Sequence, residues 1–313
     1  MDSTGSKPHG PVLVALGSAG WGTEALFRRH LNARLAPYPI VLVEHLLQVI
    51  YTLPWLVRHR HEIRSAPRRA LVWVVLSGSI GSALGTICFT AAMSRSSGIN
   101  PTAAVVLLNL QPLVSTALGL LLFRERIRPL FYPLGAIAIL SGAGLALGDA
   151  PWAALALGPS AGLLFTMGTI LAWGFATAAG RGAMRDLPVE IAAPLRLWAG
   201  LATAALVVAA RGEPLELAPL TEWPVIRDFL LLTSVAGVLP LACYFLGLRS
   251  TPAAIAGYCE MAYTLSATFV TWMLLDGHLS GLQLFEALLL LAAIVLLNRA
   301  HSAPADPSAR QAA

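Results

Sequence analysis

Long apolar runs recur along this chain, each closed by a short cluster of charge, proline or glycine. From Pro101 to Phe123 no full charge interrupts the sequence. Only Asn109, Gln111 and a few hydroxyls break the run, which closes on Arg124-Glu125-Arg126. It opens on Asn100-Pro101, and proline suits a first helical turn, where its missing N–H removes no bond. A helix of that length crosses a hydrocarbon layer of about 30 Å. A comparable run opens at Pro252, passes through Glu260 to Leu275 and closes on Asp276-Gly277-His278. At a constant offset of 151 residues Pro101 aligns with Pro252, Asn109 with Glu260, Ser115 with Ser266 and Glu125 with Asp276. Few residues between them are identical, so what recurs is the pattern.

Extended to the whole chain, this pattern predicts an all-α integral membrane protein of ten transmembrane helices. The first five are Pro11–Phe27, Pro39–Val57, Ala70–Met93, Pro101–Phe123 and Pro129–Gly148. The second five are Pro159–Gly180, Val189–Ala210, Val225–Leu248, Ala253–Leu275 and Gly281–Asn298. The organisation is a tail over 1–10, a five-helix repeat over 11–148, a linker over 149–158, a second repeat over 159–298 and a tail over 299–313. The last is rich in Ala, Pro and Ser and expected to be disordered. The connections leave no room for a catalytic domain outside the membrane. Five helices per repeat is an odd number, so the second repeat is expected upside down relative to the first. Inverted repeats of this kind place a solute site near the membrane midplane, between the halves.

Composition supports the membrane assignment. Hydrophobic residues make up 57% of the 313 and charged residues 12%, against about 25% charged in soluble domains. The net charge of +5 does not imply nucleic acid, because the arginines sit mostly at span ends and form no basic stripe. With the N-terminus inside, fourteen Lys and Arg fall in inner segments and six in outer ones. This bias predicts a plasma (inner) membrane protein with both termini cytoplasmic. The first apolar run lacks a basic n-region and a cleavage site, so no signal peptide is expected. Cys88, Cys243 and Cys259 all lie in apolar runs and read as small buried hydrophobes.

The halves share more than their rhythm. Trp21-Gly22 opens one repeat and Trp173-Gly174 the other, with Arg29 and Arg181 eight residues beyond each tryptophan. A proline-opened fourth helix ends in Glu-Arg, LLNLQPLVSTALGLLLFRERI. In these features the chain resembles the EamA-type transporters of the drug/metabolite transporter (DMT) superfamily, over residues 11 to 298. The second copy departs from the family at Asp276-Gly277-His278, where Gly-Glu is usual. The resemblance implies carriage of a metabolite or drug such as an amino acid, sugar, nucleotide derivative or amine, and leaves the substrate open.

Ionisable groups at membrane depth are rare and mark functional sites by default. Glu24, Glu44 with Gln48 one turn on, and Asn109 fall in the outer half of the predicted spans; Arg196 and Glu260 fall in the inner half. Trp21, Trp173, Tyr258 and Tyr263 are candidates to line a cavity between these clusters. Structural alternatives stand beside each. Glu24 pairs with Arg28 one turn later, Glu44 snorkels to the interface, and Arg196 with Glu260 locks spans seven and nine. His45 points about 100° from Glu44 and is expected to pack or hydrogen-bond. The small-residue pairs Gly81/Gly85 and Gly144/Gly148 point to close helix packing.

The function expected is a secondary transporter moving a small organic metabolite or drug by alternating access, as an exporter. Withdrawing Glu24, Glu44 and Glu260 from water favours their protonated forms, which makes proton coupling available. No GxxxxGK[ST] motif exists for ATP. Gly158-Pro159-Ser160-Ala161-Gly162 has nucleophile-elbow spacing but no preceding strand, and no metal motif occurs, so neither an enzyme, a cofactor nor a metal is expected. A receptor or structural membrane protein and, less favoured, an intramembrane enzyme are the alternatives. The partners expected are a small-molecule solute and the lipid bilayer, with a homodimer left open.

Overall fold

The computed structural model describes residues 9–150, 152–155, 158–212, 218–274 and 279–302. The Asp276-Gly277-His278 closing loop, Lys7 and most of both tails lie outside them. The described residues are helical, without a strand: α1 Gly10–Trp21, α2 Glu24–Leu31, α3 Pro37–Arg58, α4 Arg68–Ala92, α5 Pro101–Leu108, α6 Gln111–Phe123 and α7 Phe131–Leu147. The second half contributes α8 Ala161–Ala183, α9 Val189–Arg211, α10 Trp223–Leu248, α11 Ala253–Cys259, α12 Ala262–Leu274 and α13 Gly281–Ser302.

Seven helical stretches are long and apolar enough to cross a membrane, with α5 and α6 together forming one of them, and α7 is a shorter apolar helix. The predicted first and ninth spans are each interrupted, at Gly22-Thr23 and at Glu260-Met261. Asn109-Leu110 interrupts the fourth at the position that the sequence offset pairs with Glu260. The outer surface is apolar: Leu121 is 76% exposed, Leu164 74%, Leu140 72% and Leu206 70%. Leucines so exposed, all around a bundle, need an apolar surrounding.

The two halves pack crosswise. The opening helix of each lies on the third helix of the other, α1 on the end of α10 and α8 on the middle of α4, while α3 pairs with α9, α6 with α11 and α7 with α13. Both third helices contain a π-helical turn, Ser77–Gly85 beneath α8 and Ser234–Val238 just before the stretch that α1 covers. Glycine makes the approach feasible. A Cβ on Gly81 would overlap that of Ala176, and one on Gly17 would stand 2.7 Å from the backbone O of Pro240. The expected small-residue contacts at Gly81/Gly85 and Gly144/Gly148 are formed, against α8 and α13.

Helix starts follow their sequence signals. The Asn100 side chain accepts from Thr102 N at 2.8 Å, and Ser160 Oγ accepts from Leu163 N at 3.1 Å. The serine of the nucleophile-like motif is therefore a helix cap. α11 has no side-chain cap of its own. After Phe123 the chain turns through Arg124 at φ 52°, an uncommon conformation for a side chain with a Cβ. That turn aims Glu125 across the bundle, where Oε1 accepts from Ala253 N at 2.8 Å and Oε2 from Ala254 N at 3.0 Å. A carboxylate there meets both the free N–H groups and the positive end of the helix.

Candidate functional site

The α1–α2 interruption sets up one end of a cavity. Thr23 Oγ1 donates to Gly20 O at 2.8 Å, and α2 restarts with Glu24, so Arg28 lies one turn on, facing inward. Its guanidinium is fully engaged. Nε donates to Glu24 Oε2 at 3.0 Å, Nη2 to Glu44 Oε1 and Oε2 at 3.1 and 2.9 Å, and Nη1 to Thr90 Oγ1 at 3.2 Å. The side chains are 3%, 9% and 8% exposed for Arg28, Glu24 and Glu44. Gln48 Nε2 donates to Glu44 Oε1 at 3.4 Å. The expected Glu24–Arg28 pair is thus formed, and Glu44 joins it instead of snorkelling. Arg28, one residue beyond the predicted end of the first span and one of the six charges assigned to outer segments, is a buried residue of the site. The four-residue spacing indicated Glu24; what it could not indicate was Glu44, on the next helix, as a second partner of the same arginine.

The other end centres on Glu260, at the break between α11 and α12. Its Oε1 accepts from Thr177 Oγ1 and from the Tyr244 hydroxyl, each at 2.7 Å, and its Oε2 from Gln111 Nε2 at 2.5 Å. Asn109, at the matching break, accepts through Oδ1 from Thr264 Oγ1 at 3.0 Å. The two breaks therefore face each other, each bonded to a residue just beyond the other. The alternative in which Arg196 pairs with Glu260 is not realised. Arg196 is buried with Nη1 on Ser77 Oγ at 3.1 Å and its Cζ 5.5 Å from the Phe245 ring centre. An acid with three neutral donors in place has no need of that arginine, and the Ser77 π-turn holds the arginine elsewhere.

Glu24, Glu44, Gln48, Asn109, Arg196 and Glu260 line a single cavity of about 1050 Å3 including its mouth. Aromatic rings form much of its wall. Trp21 tilts against Tyr244 with centroids 4.9 Å apart, Trp173 against Phe89 at 5.1 Å, and Tyr263 faces the same space. Tyr258 does not line it, which corrects that expectation. Its ring meets Phe131 edge-on at 5.1 Å and closes over Gly135, because the residue lies on the opposite side of α11 from Gly257 and Glu260. His45 packs as expected, Nδ1 at 2.9 Å from Val41 O and Nε2 at 3.0 Å from Ser82 Oγ. Tyr244, Thr177 and Gln111 were not anticipated as ligands of Glu260; only their polarity in apolar runs could have indicated them. Among the described residues no three His, Cys, Asp or Glu side chains converge as a metal would require.

An apolar-surfaced helical bundle, with both halves contributing to one polar and aromatic cavity, belongs to the class of multi-pass membrane transporters. Residues 9–148 and 160–299 each match the EamA-like transporter family, and the chain belongs to that family. It is 22% identical over 299 residues to the riboflavin transporter ImpX of Fusobacterium nucleatum subsp. nucleatum, covering 93% of this chain and 97% of that one. A crystal structure with 18% sequence identity shares the fold at a TM-score of 0.73, covering 94% of this chain and 99% of the other.

Proposed function

We propose that this protein moves a small, planar aromatic metabolite across the plasma (inner) membrane by alternating access, as a proton-coupled exporter without enzymatic activity. In this reading the chain crosses the bilayer ten times as two inverted five-helix repeats, 11–148 and 159–298, joined by the linker 149–158. Its partners are the solute and the lipid. The observation that carries the proposal is the cavity itself, walled by rings from both repeats and lined by the three acids Glu24, Glu44 and Glu260. Riboflavin, for which the Fusobacterium relative is named, is the uncharged planar aromatic to test beside anionic ones.

Purified protein in proteoliposomes should move riboflavin or another planar aromatic metabolite faster under an imposed pH gradient than without one. Glu24→Gln and Glu44→Gln should abolish uphill movement and spare exchange down a gradient. Retention of full pH-driven movement by both variants would remove the proton role. Orientation is checked separately. With both termini cytoplasmic, Ser65→Cys in the basic loop should resist a membrane-impermeant maleimide in intact cells and react after permeabilisation. Ready labelling of intact cells would overturn the assigned topology.

A further inference from the structure

A buried guanidinium without a counter-ion is a costly arrangement, because leaving water is offset only by a good ionic and hydrogen-bonding partner. The cavity contains two buried arginines in opposite circumstances. Arg28 is saturated by two carboxylates and a threonine. Among the described residues Arg196, 8% exposed, makes a single hydrogen bond, from Nη1 to the neutral Ser77 Oγ, and its buried Nε has no partner. The nearest candidate counter-ion, Glu260, is already bound by Gln111, Thr177 and Tyr244, and no ion pair joins the two. Among the described cavity-lining residues Arg196 is therefore a cation with unspent donors.

Its position suits a ligand. Arg196 opens onto the space that Trp21, Trp173 and Tyr244 wall, and it is braced from behind. Phe245 lies under the guanidinium, Ser77 fixes Nη1, and Gly78 lets the α4 backbone press against the Arg196 carbonyl. A guanidinium whose Nε and Nη2 donate to no described residue keeps free the fork that matches the two oxygens of a carboxylate.

We propose that Arg196 anchors the transported solute by binding an anionic oxygen pair on it, which narrows the substrate class to aromatic carboxylates or equivalent planar anions. The inference rests on the transport reading only in calling the ligand a solute. In the bound state the carboxylate occupies Nε and Nη2, the ring stacks between the tryptophans, and Glu260 keeps its neutral donors.

The test uses the full-length protein in lipid nanodiscs and two probes of matched shape, indole-3-acetate and the uncharged indole-3-acetamide, with binding measured by equilibrium dialysis. Wild type should bind the acid at least tenfold more tightly than the amide. Arg196→Gln should bring that ratio close to one, and Arg196→Lys, which keeps the charge and loses the fork, should retain part of it. Equal wild-type affinities would overturn the proposal and would be the outcome if Glu260 turned to neutralise Arg196. An unchanged ratio in Arg196→Gln would overturn it too. Should that variant fail to fold, Arg196→Lys decides: a ratio lowered at least threefold supports the anchor and an unchanged one refutes it. Binding of the acid without flux into proteoliposomes would sink the transport reading and leave the anchor standing. Flux with an acid preference indifferent to residue 196 would do the reverse.

Discussion

Arg28→Leu is expected to produce the largest loss of stability of any single change in the cavity wall, about 3–5 kcal/mol, read as a lowered unfolding temperature in detergent. The reason lies in what it leaves behind. Glu24 and Glu44, both less than a tenth exposed, would face each other with no cation between them, and Thr90 Oγ1 would lose its donor. Arg28→Lys should recover only part of the loss, because one ammonium cannot reproduce contacts made by three guanidinium nitrogens. Adding Glu24→Gln and Glu44→Gln to Arg28→Leu should restore much of the stability by removing the stranded charges. A single variant as stable as wild type, or a triple variant no better than the single, would show that the three side chains do not act as one unit.

Glu260→Gln should behave in the contrary manner, with a small effect on folding and a large one on transport. Three neutral groups donate to this carboxylate, and an amide oxygen still accepts from part of that set, so the stability change should stay near 1 kcal/mol. Because Arg196 is not its partner, adding Arg196→Leu should rescue nothing. Net movement of solute under a pH gradient should fall at least tenfold, since glutamine keeps the shape but cannot take up and release a proton. A large drop in unfolding temperature that the double variant repairs would restore the ion pair; unimpaired uphill transport would remove Glu260 from the coupling mechanism.

The architecture could be read from residue patterns because lipid leaves few options: every backbone group must be satisfied within a helix, so apolar length translates directly into elements. The Asn109–Glu260 correspondence was legible for a similar reason, since duplicated helices interrupt at duplicated positions. What periodicity could not supply was the interior. Tyr258 and Glu260 are two residues apart and so point to nearly opposite sides of a helix, but which side faces the cavity and which packs on Phe131 is decided by the neighbouring helices. Arg28 was legible as a partner of Glu24 alone, because nothing in a linear count shows an arginine held between two acids on different helices. The donors to Glu260 come from α6, α8 and α10, and only the crosswise packing of the halves brings them to one point.

The reach of Glu125 to the start of α11 bears on how the gene duplication has aged. The first copy's proline-opened helix carries its own cap in Asn100, whereas the corresponding helix of the second copy starts bare and borrows a carboxylate from the first. The two copies have ceased to be interchangeable parts. A tandem of two second copies would offer that helix the shorter Asp276 where Glu125 now reaches it, while a tandem of two first copies would cap it with Asn100. Specialisation has made the second half a dependant of the first, at a bond whose partners lie outside the cavity wall.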